Sequence, residues 1–437
     1  MDPVWIGALG FVVLLIVILL GIPVGISLMV TGLAGLFYLS GVSSTFHLLV
    51  NNVFGQATNY EFIAVPMFLL MGYVALEAGL TKPAFESGRL WLSSLPGGLA
   101  MATSVASAFL GACCGSGIPT TAALSRIAIP EMVRQGYDKG LAAGTVAATG
   151  ALAVLIPPSI IMVVYAVFME GVPLGKMLLA GYLPGVLSVI IFCFGIWIRV
   201  RLNPNLAPPR PTEKITWKQR IISLKGLWGI VVLFGVLAGG IYSGYFTATE
   251  AAGMSALTAF ILMALTGQFK WPVVKTAFVD TLQVSAMTFL LLIGAIMFSL
   301  FLTVSGLPKA SAALVVAANL SPMVFLIMVC FMYFILGCFL PSLSMLLLTL
   351  PILYPVLLDM KINLIWFGII VIKMVEVGGL TPPFGIGVYV VKGVVKDEIE
   401  LTEIFKGISW FIVMELVTLA ILMAFPQISL WLPSLAK

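Results

Sequence analysis

The stretch GGLTPPFGIGVY, Gly378–Tyr389, sets two adjacent prolines and four glycines inside a long apolar run. Proline lacks a backbone N–H and clashes with the carbonyl one turn back, while glycine accepts dihedrals that other residues avoid. No straight helix passes through such a segment. In hydrocarbon each orphaned backbone group costs several kcal/mol unless protein, water or a bound ion satisfies it, so a break at membrane depth points to a cavity or an ion site.

Composition decides whether this segment lies in a membrane. With 61% hydrophobic residues, 9% charged residues and a mean hydropathy of +1.17, the chain is a polytopic membrane protein. At about 20 apolar residues per span, it has room for about eleven to thirteen membrane-embedded segments. The first, from Val4 to Leu20, lacks a Lys/Arg-rich start and a small-residue cleavage site, and reads as a retained helix. The five cysteines, Cys113 and Cys114 adjacent among them, give neither a CxxC pair nor a disulfide framework. His47 is the one histidine and lies in a polar connection. No nucleophile, base and orienter set can be assembled around it, so enzymatic catalysis is not expected. The net charge of +5 does not indicate nucleic acid, because the basic residues gather in loops between spans and report topology.

The connection from Arg199 to Lys225 carries Arg199, Arg201, Arg210, Lys214, Lys218, Arg220 and Lys225 against one acid, Glu213, and includes NPNLAPPRP. It reads as a cytoplasmic linker near the middle of the chain. The loop Gly41–Tyr60 has no Lys or Arg, which places it and the N-terminus outside, with 17 of the 22 Lys and Arg residues on or toward the cytoplasmic side. The two halves also repeat. Pro130, Pro157 and Pro158 match Pro355, Pro382 and Pro383 at an offset of 225 residues. EAGLTK (Glu77–Lys82) resembles VSGLPK (Val304–Lys309), and each leads on to a Gly-rich break, GACCGSGIP from Gly111 and GCFLPSLS from Gly337. Each half therefore reads as a span, an amphipathic connector, a re-entrant hairpin and an interrupted helix, and the loop assignments make the halves inverted.

The 28 residues from Leu141 to Phe168 carry no charge and would form a helix of about 42 Å, longer than the bilayer core. TGALAVLIPPS interrupts them. Two breaks and two hairpin tips predict a discontinuous-helix site, in which half-helix N-termini face an anion while C-termini and unwound carbonyls hold a cation. The oxygen suppliers there are Gly111, Ser116, Gly117, Thr120, Thr149, Gly150, Gly337, Ser342, Ser344, Gly378 and Thr381, with no carboxylate among them. Neutral hard oxygens suit sodium better than a proton relay. Ser116, Thr120, Thr121, Ser342 and Ser344 are the candidate substrate contacts. Arg126, about 12 Å along a helix from the first tip, either attracts an anionic substrate or snorkels to the inner surface. Lys373 and Glu376, three residues apart, read as an intrahelical ion pair, and Glu376, five residues from Thr381, is a titratable group that leaves a proton as the alternative to sodium.

These stretches resemble the large membrane (DctM-like) subunit of TRAP transporters, the tripartite ATP-independent periplasmic transporters. The likeness rests on Gly115–Ser159, LLAGYLPG (Leu178–Gly185), GYFTATEAAG (Gly244–Gly253) and VEVGGLTPPFGIGVYVVKG (Val375–Gly393), and runs almost end to end. It implies a sodium-driven importer of a small organic anion such as a C4-dicarboxylate, a sugar acid or a sulfonate, in the bacterial inner membrane. It also implies two partners, a four-helix small membrane subunit and a periplasmic substrate-binding protein. The expected fold is an all-α, inverted-repeat elevator. Residues 1–80 and 169–280 would form scaffold, 81–168 and 281–395 the arm, hairpin and broken helix of each half, and 396–437 a C-terminal scaffold helix. One sodium site would lie between Gly111–Gly117 and Thr149–Gly150, the other between Gly337–Ser342 and Gly378–Thr381. The chain departs from the usual family pattern at Ala151 and Ala153 and in IPTT of the first tip, and no phosphate-binding loop is present. The alternative reading is a self-sufficient inverted-repeat transporter of anions or ions.

Overall fold

Eight helices among the described residues are long and apolar enough to cross a bilayer, and several shorter apolar helices accompany them. The computed structural model describes residues 2–80, 82–208, 215–382 and 385–436. Pro383 of the second break, Arg210, Glu213 and Lys214 of the linker, and Thr81 lie outside the described residues.

The first half comprises α1 (Pro3–Leu19), α2 (Val24–Leu48), the short α3 (Phe54–Ala57), α4 (Ala64–Glu77), the amphipathic α5 (Lys82–Leu92), α6 (Gly98–Cys114), α7 (Gly117–Arg134), α8 (Lys139–Ala151), α9 (Ile160–Phe168) and α10 (Leu174–Leu202). The second comprises α11 (Trp217–Leu224), α12 (Trp228–Ser243), α13 (Ala248–Leu265), α14 (Trp271–Ser305), α15 (Leu307–Ala317), α16 (Pro322–Gly337), α17 (Ser342–Asp359), α18 (Leu364–Leu380), α19 (Ile386–Val395), α20 (Leu401–Ala424) and α21 (Gln427–Leu435). The expected order recurs in both halves. Helices α5 and α15 connect, α6–α7 and α16–α17 are the hairpins, and α8–α9 and α18–α19 are the interrupted helices. No strand occurs among the described residues.

The expected loop Gly41–Tyr60 is a correction, because it is largely helical. Gly41 kinks α2 at φ 74°, after which helix resumes and runs through a wide turn at Leu49–Val53 into α3. Between Val42 and Phe54 the chain has no proline or glycine, and Val42, Phe46, Val50 and Phe54 recur every fourth residue, so nothing stops the helix.

Two packed groups of helices follow from where the small residues lie. Helix α2 crosses α14 closely because a Cβ on Gly294 would meet the Gly25 carbonyl at 2.3 Å, and one on Gly32 would meet the Phe298 nitrogen at 2.8 Å. Bilayer helices associate through such close contacts because hydrocarbon supplies no hydrophobic drive between them. Helices α4 and α13 complete this wall. In the other group α8 is enclosed by α6, α7 and α20. A Cβ on Gly144 would lie 2.5 Å from the Gly407 carbonyl carbon, so α8 and α20 touch backbone to backbone. Helix α20, expected as a C-terminal scaffold helix, packs on α8, α10 and α18. Polar bonds hold it there: Trp410 Nε1 donates to the Gly195 carbonyl at 3.0 Å, Arg199 to the Gly407 carbonyl at 2.8 Å, and Trp366 Nε1 to the Leu422 carbonyl at 3.0 Å.

Candidate functional site

Proline dictates where the two interrupted helices stop. Pro157 has no N–H, and its ring excludes the carbonyl four residues back, so α8 tightens into a turn at Leu152–Val154 and ends. Backbone without helix then runs to Ser159, whose hydroxyl caps α9 by accepting from the Met162 amide. In the second half α18 ends at Leu380, and α19 begins at Ile386. The first break thus falls about one turn after Gly150, while the second opens two residues after Gly378. Gly150 and Gly378 lie in the last helical turns, where carbonyls lack the usual partner four residues on.

The glycines serve close approach instead. A Cβ on Gly150 would sit 1.9 Å from Thr121 Oγ1, and one on Gly111 would sit 2.5 Å from Ala153 Cα, so the first hairpin lies directly on the first break. The tip residue Gly115, at φ 63°, accepts the Ile160 amide across the break at 3.4 Å. The second half repeats the arrangement, with a Cβ on Gly337 falling 2.4 Å from Gly378 Cα. Both Gly111–Ala153 and Gly337–Gly378 contacts join corresponding positions of the repeat.

Between the tips and breaks lies a cavity of about 250 Å³. Gly117 and Ile118 open α7 onto it, Ile160 and Ile161 open α9, Ser342 and Leu343 open α17, and Ile386 and Gly387 open α19. Four helix N-termini therefore converge on one space. Ala151, Gly379 and Leu380 bring the C-termini of α8 and α18 to the same space, and Val284 and Thr288 of α14 form the opposite wall. Glu376 is the one charged residue among the described lining residues.

The anticipated site residues divide accordingly. Ser116, Gly117, Thr121 and Ser342 line the cavity, while Gly111, Thr149, Gly150, Gly337, Gly378 and Thr381 sit behind it where tips meet breaks. Thr149 Oγ1 is buried without a hydrogen-bond partner, and Ser107 donates to the Thr149 carbonyl at 2.7 Å. Thr381 donates its hydroxyl to the Val377 carbonyl at 2.7 Å and its amide to Gly378 at 3.1 Å. Thr120 does not reach the cavity, since its hydroxyl bonds back to the Ser116 carbonyl at 2.9 Å. Ser344 is buried one turn into α17, its hydroxyl unpartnered. Arg126 is exposed on α7 and does not line the cavity. Pro157 and Pro158 are buried in the first break, and Pro382 opens the second.

Three contributors escaped the sequence reading. Ser107 and Ser188, which accepts from Lys373 Nζ at 2.9 Å, carry no distinguishing signal, being small polar residues in apolar helices. Glu415, which pairs with Lys373 beside Glu376, does carry one, because an acid in mid-span is a functional candidate by default.

A family model described as the tripartite ATP-independent periplasmic transporter, DctM component, matches residues 11–428. The chain belongs to this family. Among its relatives, the large permease protein of a C4-dicarboxylate TRAP transporter from Rhodobacter capsulatus is 32% identical over 97% of this chain and 98% of its own. The large permease protein of a sialic acid TRAP transporter from Vibrio cholerae is 30% identical over 95% of each chain. This TRAP permease also shares its fold with the solved structure of MtrF from Neisseria gonorrhoeae, with a TM-score of 0.60 at 13% identity, covering 97% of this chain and 95% of that one. It is a multi-pass membrane protein of a transporter family, not of an enzyme class.

Proposed function

We propose that this permease imports a small organic anion across the bacterial inner membrane, coupled to sodium. The convergence of four helix N-termini on one cavity carries this reading. Partial positive charge and free N–H groups at those ends attract an anion, and the nearby hydroxyls of Ser116, Thr121 and Ser342 orient it. At about 250 Å³ the cavity is below the usual range for drug-sized ligands, about 300 to 1,000 Å³, which favours a compact substrate. Relatives named for C4-dicarboxylate and sialic acid, both carboxylates, agree with that chemistry.

Sodium is the second cargo. The set around Thr149, Gly150 and the first tip, and the set around Gly337, Gly378 and Thr381, offer neutral hydroxyl and carbonyl oxygens. The unpartnered Thr149 hydroxyl is an oxygen that a hard cation would satisfy. The hairpins, the interrupted helices and the helices α10 and α20 packed on them move together in this reading, past the wall of α2, α4, α13 and α14. Membership in a tripartite family favours a small membrane subunit and a periplasmic binding protein as partners over a self-sufficient transporter.

Reconstituted with both partners in proteoliposomes, the permease is expected to accumulate substrate only under an inward sodium gradient. Uptake that persists after the gradient is dissipated would sink the sodium coupling.

A further inference from the structure

The free donors around the cavity concentrate at the two hairpin tips. No side chain caps α7 or α17, so the amides of Gly117 and Ile118 at one tip, and of Ser342 and Leu343 at the other, lack helical partners. The hydroxyls of Ser116 and Ser342 stand beside them. The other two helix ends are more occupied. At α9 the Ser159 hydroxyl accepts the Met162 amide and the Gly115 carbonyl accepts the Ile160 amide, while at α19 the Val388 amide turns back on the Gly385 carbonyl at 2.7 Å. The tips together therefore offer the donors for one anionic group.

The remaining walls are aliphatic. Ile118, Ile160, Ile161, Val284, Leu343 and Leu380 face the space, and the Thr288 hydroxyl among them donates to the Val284 carbonyl of its own helix at 2.8 Å. Glu376 is the one charged residue among the described lining residues, and it is an acid. Lys373, one turn before it, does not line the cavity: its ammonium donates to Glu376 Oε2 at 2.7 Å and to Ser188 Oγ at 2.9 Å, and pairs with Glu415. A second carboxylate on the substrate would leave water for a wall with no cation to meet it. A row of sugar hydroxyls would lose hydrogen bonds to water without replacing them. An aliphatic body loses no such bonds and gains by burial. At about 30 Å³ for each water-sized group, a cavity of about 250 Å³ holds about eight non-hydrogen atoms.

We propose that the substrate is a compact aliphatic monocarboxylate. Its one carboxylate is held between the tips, by Ser116 and Gly117 on one side and Ser342 and Leu343 on the other, and its hydrocarbon body lies against the isoleucine, valine and leucine walls. The inference rests on the anion reading above and narrows it to a single charge on an apolar body, excluding dicarboxylates and sugar acids.

Isocaproate and succinate test it, because they have the same number of non-hydrogen atoms and differ in an isopropyl group against a carboxylate. Each is titrated into the purified permease in saturating sodium at constant ionic strength, with thermal unfolding as the readout. Isocaproamide serves as the uncharged copy of isocaproate. Isocaproate is expected to half-saturate at a concentration at least about tenfold below those of succinate and isocaproamide. Ile118→Lys puts an ammonium into the aliphatic wall at a position that is 55% exposed. It is expected to shift the preference at least about tenfold toward succinate. Succinate binding as tightly as isocaproate, or failure of both anions to stabilise the protein, overturns the monocarboxylate class. So does an Ile118→Lys protein that folds and keeps the wild-type ratio. Isocaproamide binding as tightly as isocaproate overturns the anion reading itself.

Discussion

At the residue scale, the second sodium candidate depends on two glycines that leave no room for a side chain. A Cβ on Gly378 would come within 2.6 Å of Gly337 Cα, and the obstacle is backbone, which cannot rotate away. Gly378→Ala is therefore expected to destabilise the permease by about 1–3 kcal/mol through overpacking and to abolish its stabilisation by sodium. Thermal unfolding with and without sodium checks both effects, and an alanine variant with the wild-type response would show that the tip need not touch the break. The identity of these residues was legible in the sequence, but their job was not. Glycine in an apolar run announces a special backbone position, and only the contact with Gly337 distinguishes close approach from a strained dihedral. Arg126 shows the converse: its charge drew attention, yet its direction around α7 turns it away from the cavity.

At the element scale, each interrupted helix contributes a C-terminus rich in free carbonyls and a following N-terminus rich in free amides, so in the proposed function one break serves a cation and an anion together. Thr381 stands at this junction, and its hydroxyl, donating to Val377, keeps its lone pairs free to accept. Thr381→Ala is expected to raise the sodium concentration for half-maximal uptake about three- to tenfold, the usual worth of one polar contact. An unchanged sodium response would remove Thr381 from the site. The prolines and the repeat made the existence of these elements readable, because a missing N–H and a blocked carbonyl act locally. The first boundary falls about a turn after Gly150 because Pro157 blocks the carbonyl of Ala153, four residues before it, whereas Pro382 blocks that of Gly378 itself.

At the scale of the whole molecule, the cavity has walls from both groups of helices. Ile118 at the start of α7 and Val284 in the middle of α14 line it from opposite sides. If the hairpin group travels past the α14 wall, cysteines at these two positions, cross-linked in a background without native cysteines, are expected to stop uptake, with recovery on release of the link. Uptake that continues at the full rate in the cross-linked protein would rule out that movement. The packing of α20 also matters here, since its bonds to α10 and α18 tie a helix remote in sequence to the interrupted core.

The sequence by itself determined that this protein lives in a membrane, that its two halves repeat one order of elements, and that each half carries a hairpin and an interrupted helix. Hydropathy, charge asymmetry and proline chemistry act over one or two turns of chain, so they are written locally. Only the tertiary structure decided that the four breaks face one cavity, that Thr120 and Arg126 stay out of it, and that Glu415 joins Lys373 and Glu376. Those outcomes depend on how helices hundreds of residues apart are rotated against each other, and that rotation is set by small-residue packing such as Gly144 on Gly407, which no local pattern specifies.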